Sequence, residues 1–335
     1  MSLFFVESIY IFVKQIKTNN MKTLRNFFLP ILCIAFILQS CSEDDDVVLQ
    51  TNTIVDVAVN NNLTSLVAAV TRADLATTLS SSGPYTVFAP TNQAFDELLD
   101  SNPNWNSIND IPVATLQSVL LYHVLSGTVR STDLFDTYVN TLSTGPNDEA
   151  LSLQFEVTGG VEFNGDATPT SSLDVTATNG IVHVINKVML PPNVVTLALN
   201  NDGFSTLVAA LTDSRHTTDF VSVLEGNGPF TIFAPTNAAF QNLLDSNSDW
   251  NSLADIDIAT LEAVLLYHVV SGKNVQADQL SNGSETTLGG SITIANGSQI
   301  LTTSGQTANI IIGAATNDVQ GSNGVIHSID AVLLP

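Results

Sequence analysis

The hydrophobic residues follow two patterns along the chain, one typical of helices and one typical of strands. Apolar residues recur at helical spacing in 63–70 and again in 116–123, where His123 shares the face of the leucines and valines. Residues 85–89, between these segments, are β-branched, aromatic or small, which predicts a strand that Pro90 ends. This region is therefore predicted to combine amphipathic helices with a strand.

Capping residues mark the predicted helix ends. Thr64 and Ser65 are candidate caps for the first helix, and Thr91 or Asn92 caps a helix that follows the strand. The Ser-Gly pair at 126–127 is predicted to end the helix that carries the histidine.

The later part of the repeated region consists of short alternating segments broken by Gly and Asn, which is typical of strands and turns. The predicted strands are 151–157, 161–164, 291–294, 300–303 and 309–312. Segment 181–189 is apolar on nearly both faces and is predicted to lie in the centre of a sheet. Early helices and late strands together predict an α+β fold.

One sequence unit occurs twice. Residues 88–127 and 233–272 are identical at 28 of 40 positions, at an offset of 145, and the second copy gains about four residues near 216–221. A repeat of this length is the size of a domain. We therefore expect two tandem domains, 51–192 and 193–335, with Pro191-Pro192 forming a short, stiff linker.

Residues 1–40 have the features of an upstream segment followed by a signal peptide. A basic segment begins at Met21, the expected true start, and precedes an apolar run at 27–38 that is too short to span a bilayer. Residues 38–41 resemble the bacterial lipobox, which implies that Cys41 is lipidated and anchors the mature protein to the membrane. The alternative is an ordinary signal peptide with an unrelated cysteine.

Residues 41–50 are predicted to be an acidic tether. An acidic run by itself indicates only a solvated segment. Ser42 followed by acids at 43–46 resembles the signal that directs Bacteroidetes lipoproteins to the outer face of the outer membrane. The resemblance implies an outer membrane lipoprotein that faces the cell exterior, with the periplasmic face as the alternative.

Charge excludes several classes of partner. The chain has 9 Lys and Arg against 32 Asp and Glu, a net charge of −23, so the basic surface that nucleic acid requires is missing. With two cysteines, it has neither a disulfide framework nor a Cys-based zinc site.

Sequence motifs for catalysis are absent. The chain has no His-Glu-x-x-His, no Gly-x-Ser-x-Gly and no phosphate loop. Asp96 and Glu97 are adjacent on a predicted helix and face different ways, and the second copy has Gln241 and Asn242 there. We expect no catalytic residue, no cofactor and no metal site.

Three segments that occur in both copies resemble the signatures of the fasciclin domain family. They are 86–95, the Tyr-His segment at 120–127 and the closing strand at 180–191, with their counterparts in the second copy. The central residues of the first signature are Pro90, Thr91, Asn92, Pro235, Thr236 and Asn237. The resemblance covers nearly all of 50–335.

This resemblance implies two fasciclin-like domains, each a twisted β-sandwich wedge with a helical layer. It also implies an adhesion or matrix-binding protein without catalysis, whose partner is extracellular matrix, a polysaccharide or a cell-surface protein; homophilic contact is a further option. The alternative function is a surface carbohydrate-capture module of an envelope uptake system, in which Trp105 or Trp250 stacks on sugars.

The Tyr-His segments have two interpretations. The helical spacing favours His123 as a core histidine. The family resemblance instead implies ligand contact by this region, with four candidate residues: Tyr122, His123, Tyr267 and His268. His183, between two valines of the closing strand, is interpreted as structural.

Overall fold

The computed structural model of the protein describes residues 52–313 and 316–335. The predicted signal peptide, the anchor at Cys41 and the acidic tether lie outside the described residues. Within the described residues, each half of the chain begins with helices, continues with strands and ends on the predicted closing strand. This order confirms the α+β prediction.

The α-helices occupy equivalent places in the two halves. Those of the first half are α1 (Ile54–Asn60), α2 (Thr64–Arg72), α3 (Ala76–Leu79), α4 (Asn92–Asp100) and α5 (Val113–Tyr122). Those of the second half are α6 (Val194–Leu199), α7 (Ser205–Leu211), α8 (Phe220–Leu224), α9 (Asn237–Asp245) and α10 (Ile258–Tyr267). Single 3-10 turns connect several elements, at Ile108–Asp110, Ser131–Asp133, Pro146–Asp148, Asp202–Phe204, Leu253–Asp255 and Ala277–Gln279.

The strands of the first half are β1 (Tyr85–Pro90), β2 (Val124–Ser126), β3 (Thr137–Thr144), β4 (Ala150–Glu156), β5 (Glu162–Phe163), β6 (Val175–Ala177) and β7 (Gly180–Ile185). They form one sheet in the order β5-β4-β3-β2-β1-β7-β6. Those of the second half are β8 (Phe230–Pro235), β9 (Val269–Ser271), β10 (Gly283–Thr287), β11 (Gly290–Ala295), β12 (Gln299–Leu301), β13 (Thr307–Asn309), β14 (Val319–Gly321) and β15 (Gly324–Ile329). They form two sheets, β14-β15-β8-β9 and β10-β11-β12-β13.

The first and last strands of each half pair in parallel. Phe88 of β1 lies opposite His183 of β7, and Phe233 of β8 lies opposite His327 of β15. Parallel neighbours need a long crossover, which the remaining helices and strands provide. Both closing strands have a partner on each side, which confirms their predicted central position, although β7 ends at Ile185 and not at 189.

Alternate residues of β1 face different cores. Val87 and Ala89 pack with the helices, whereas Phe88 packs with Phe155 and Phe163 at ring-centroid distances of 5.7 and 4.6 Å. Successive side chains of a strand point to opposite faces, so one strand serves two cores. β8 repeats this division in the second half, and the arrangement agrees with a sandwich that carries a helical layer.

Several predicted boundaries are wrong. The helix that begins at Val113 ends at Tyr122, before the Ser-Gly pair at 126–127, because Val124–Ser126 pairs with β1 as a strand. The strand predicted at 309–312 is displaced to Thr307–Asn309. The sequence pattern also misses six of the described strands: β2, β3, β6, β9, β10 and β14. Among them, the threonine-rich β3 and the polar β10 lack an apolar alternation.

Candidate binding surface

His123 and His268 each make two hydrogen bonds in the interior. Nδ1 of His123 lies 2.7 Å from the carbonyl oxygen of Val119, and the backbone N–H of Met189 donates to Nε2 at 3.0 Å. A carbonyl requires a donor and an amide requires an acceptor, so the ring carries its proton on Nδ1. His268 repeats the arrangement with equivalent backbone groups at 2.7 and 2.9 Å.

Burial keeps both rings neutral. His123 is 2% exposed and His268 is 3% exposed. Desolvation lowers the pKa of each from its ordinary value of 6.5 to about 4, against the weaker, opposing effect of the hydrogen bond to the helix carbonyl. At neutral pH both side chains are therefore uncharged, and both nitrogens are occupied.

The tyrosines that precede these histidines are also buried. The hydroxyl of Tyr122 lies 2.8 Å from the carbonyl oxygen of Ser152 and 2.8 Å from Oδ1 of Asn164. The backbone carbonyl of Asn164 accepts a hydrogen bond of 2.9 Å from Asn200 of the second half. The Tyr267 hydroxyl instead bonds backbone groups of β11 and of the turn after β12, within its own half.

The four candidate contact residues thus lie inside the two halves. Tyr122 and Tyr267 are 0% and 1% exposed. The hypothesis that these four side chains touch a ligand therefore requires a local opening of the fold. The helical spacing of 116–123 is the sequence signal that indicated this interior position.

The Pro-Thr-Asn segment of the first half joins two helices. The Thr91 hydroxyl accepts from the backbone N–H of Ala94 at 3.2 Å, so Thr91, one of the two predicted candidates, caps α4. Oδ1 of Asn92 accepts from the backbone N–H of Ser65 at 3.0 Å, and its Nδ2 donates to the carbonyl of Asn62 at 2.9 Å. One side chain therefore holds the start of α2 against α4.

The caps predicted at Thr64 and Ser65 are wrong. Leu63 occupies the cap position of α2, and its side chain makes no capping bond. Asn92 supplies the acceptor from a different helix, which local sequence could not indicate.

The second half repeats this arrangement. Pro235 is the last residue of β8, as Pro90 is of β1, since proline has no N–H to continue a strand ladder. Thr236 caps α9 at 3.2 Å. Oδ1 of Asn237 accepts from the backbone N–H of Thr206 in α7 at 2.9 Å.

The other histidines also bond to backbone. His183 and His327 are fully buried, and Nε2 of each lies 2.8 Å from the carbonyl oxygen of Val129 or of Val275. His216, in the additional segment of the second copy, lies 2.7 Å from a carbonyl of α7. Their positions favour structural roles.

Trp105 and Trp250 are half-buried and pack against the helix-side cores. Across 52–313 and 316–335, no three His, Cys, Asp or Glu side chains cluster in a way that could hold a metal ion. In the same ranges, every helix is too short or too polar to cross a bilayer.

One surface of the second half packs against the first half. It carries three buried amides, which we call the amide face: Asn274, Gln276 and Gln320. The backbone N–H of Gln320 donates to the Ser152 hydroxyl at 2.9 Å, and Nδ2 of Asn147 donates to the Asn274 carbonyl at 2.9 Å. Oε1 of Gln320 accepts from Asn274 at 2.9 Å and from Gln276 at 2.6 Å, so neutral groups satisfy each other here.

No described residue covers the equivalent surface of the first half. Thr176 lies opposite the second residue of β7, just as Gln320 lies opposite the second residue of β15. The carbonyls of Val129 and Val275 bond the equivalent histidines of the two closing strands, so Val129 corresponds to Val275. Their neighbours therefore correspond as well: Thr128 to Asn274, and Arg130 to Gln276. These three residues of the first half and the serines at 80–82 line a cleft of about 650 Å³. We call it the first-domain cleft.

The chain matches the family model of the fasciclin domain twice, at residues 61–191 and 202–335. The protein therefore belongs to the fasciclin domain family and contains two such domains in tandem. This confirms the fold predicted from the repeated motifs.

Two relatives and one solved structure illustrate the similarity. A Synechocystis sp. protein is 37% identical over 146 residues, which cover 43% of this chain and 98% of the relative. The cell surface glycolipoprotein MPB83 of Mycobacterium bovis is 32% identical over 143 residues, which cover 42% of this chain and 60% of that protein. A FAS1 domain pair from the insect cell adhesion molecule Fasciclin I has 19% identity and a TM-score of 0.48, covering 83% of this chain and 98% of that chain.

Proposed function

We propose that the protein is an adhesion or matrix-binding protein of the cell envelope, which holds a partner and transforms nothing. One observation carries the proposal. The surface of the second domain that packs against the first domain has an equivalent on the first domain that no described residue covers. This equivalent surface is the first-domain cleft of about 650 Å³. A surface that already forms a domain contact in one copy is a natural binding surface in the other.

The chemistry of the cleft favours a polar partner. Serines and threonines supply seven of its fourteen lining residues, and Arg130 is the charged residue among them. Hydroxyls both donate and accept hydrogen bonds, whereas a guanidinium pairs with carboxylates. A polysaccharide, a matrix protein or the acidic surface of another cell-surface protein fits this lining.

Because Thr128, Arg130 and Thr176 replace the amide face, the cleft is not a copy of the internal contact. We infer that its partner differs from the first domain of the same chain. Homophilic contact through another surface is then a separate outcome of the binding experiment.

The binding test compares two exposed strand threonines. Purified protein is assayed against matrix proteins, polysaccharides and itself, with Thr176→Trp in the cleft and Thr293→Trp on β11 as the control. We expect Thr176→Trp to weaken partner binding at least tenfold and Thr293→Trp to leave it unchanged. Equal binding by both variants would remove the cleft from the proposal.

We also propose that lipid on Cys41 holds the domains at the outer surface of the outer membrane. The lipobox-like sequence supports this anchor, as does similarity to a relative named as a cell surface glycolipoprotein. Cys41→Ala is expected to release the protein from the membrane fraction, and protease added to intact cells should digest the native form. A native protein that resists protease until cells are lysed would indicate the periplasmic face.

A further inference from the structure

An apolar cavity of about 200 Å³ lies inside the second domain, between its helices and the sheet β14-β15-β8-β9. Val208 and Leu211 of α7 and Val221 and Leu224 of α8 contribute to its wall. Leu199 also lines it and is 57% exposed, so the cavity reaches solvent beside α6.

The equivalent place in the first domain is nearly filled. Corresponding positions, among them Val67 and Val70 of α2 and Leu79 of α3, surround only about 20 Å³. The second copy has about four additional residues before α8, the helix that carries Val221 into the wall. Because both domains share one fold, the open space is a property of the second domain and not of the fold.

The polar side chains among the described wall residues have no free hydrogen-bond donor. Among the described residues that line the cavity, none is charged, and the polar ones are Thr212 and His268. The Thr212 hydroxyl donates to the carbonyl of Val208 at 2.8 Å, and both ring nitrogens of His268 are bonded. A ligand here is held chiefly by apolar contact.

Empty apolar space is unfavourable, because the lining atoms lose dispersion contacts and water finds no partners. In another protein, an engineered apolar cavity of about 150 Å³ stays dry and takes up benzene or xenon. The cavity of the second domain is somewhat larger than that one.

We propose that this cavity is a binding site for an uncharged hydrocarbon group, either a substituted aromatic ring or a short alkyl chain. The net charge of −23 and the absence of a cation among its described lining residues both disfavour an anionic head group. The site is independent of the first-domain cleft, so its test does not depend on the proposed adhesion function.

Toluene and xenon are suitable probes, with calorimetry for toluene and NMR for xenon. The test variant is Ala198→Leu, which adds a larger side chain to the cavity wall, and the matched control is Ala58→Leu at the nearly filled site of the first domain. We expect saturable binding at one site, weakened at least tenfold by Ala198→Leu and retained by Ala58→Leu.

If either alanine variant does not fold, Val208→Leu and its counterpart Val67→Leu provide the same comparison. The proposal is overturned if neither probe binds saturably. It is also overturned if the first-domain variants reduce binding as much as those of the second domain, since the bound molecule would then lie elsewhere.

Discussion

The backbone N–H of Gln320 in β14 donates to the hydroxyl of Ser152 in β4 at 2.9 Å, across the contact between the two domains. Gln320 is 1% exposed and Ser152 is 2% exposed. Burying a charge in such a contact would be costly, and the amide face around this bond is neutral. A protein of net charge −23 therefore joins its domains at the amide face through neutral groups.

Gln320→Ala is predicted to destabilise the protein by about 1–3 kcal/mol, because buried amide and carbonyl partners lose their hydrogen bonds. Among these partners are Asn274, Gln276 and the carbonyl of Gly324. Urea denaturation measures the loss. The control is Thr176→Ala at the equivalent exposed position, where a change within about 0.5 kcal/mol is expected. Similar losses in both variants would contradict the assigned role of Gln320.

Asn92→Ala is predicted to cost about 1–2 kcal/mol, since it removes the acceptor that caps α2 and the donor to Asn62. Asn237→Ala is expected to cost a similar amount in the second domain. Asn92→Asp retains an acceptor for the helix N–H and should lose less than Asn92→Ala. Equal stabilities of the two Asn92 variants would argue against the capping role. Thermal denaturation ranks them.

The stability of the protein is predicted to fall between pH 6.5 and about pH 4. Burial lowers the pKa of folded His123 and His268 to about 4, whereas the unfolded rings titrate near 6.5. Within this window the unfolded chain binds more protons, so the free energy of unfolding decreases as pH falls. The stabilisation is complete above pH 6.5, and on the order of 3 kcal/mol per histidine is lost by the time the folded rings titrate.

Urea denaturation at about pH 7 and about pH 5 tests this dependence. Hydrogen bonds to Arg215 lower the pKa of Asp213 to about 2. The protonation of Asp213 therefore affects stability only below its ordinary pKa of 3.8, and it does not interfere with the comparison of these two conditions. The double variant His123→Asn/His268→Asn should show a smaller change between the two conditions, and the change that remains includes His327, whose pKa burial also lowers. An unchanged pH dependence in that variant would show that other groups cause it.

His123→Ala is predicted to lower the free energy of unfolding by about 3 kcal/mol, because a buried ring is lost and the amide of Met189 is left without its acceptor. Partner binding by the folded fraction should be retained. The opposite result, reduced binding with unchanged stability, would restore His123 as a ligand contact. His268→Ala gives the matched comparison in the second domain.

The repeat, the α+β character and a helix cap at Thr91 or Asn92 can all be predicted from the sequence, as can the apolar face that carries His123. These features depend on neighbours within a few residues, so periodicity and side-chain type are enough to predict them. Asn92 shows where that reasoning stops. Its position after a strand suggests a cap for its own helix, yet its side chain bonds the start of α2, 27 residues earlier.

A comparison of the two domains also separates what local sequence predicts from what long-range contacts decide. Tyr122 and Tyr267 lie in nearly identical segments, but only Tyr122 is linked to the other domain, through Asn164 and Asn200. Likewise, one site surrounds about 20 Å³ and its counterpart about 200 Å³, although the lining residues are of the same kind. Local pattern sets which side chains are apolar or capping, whereas long-range packing decides which polar groups meet and where space stays open. That packing depends on contacts between residues far apart in the chain, and no short segment encodes them.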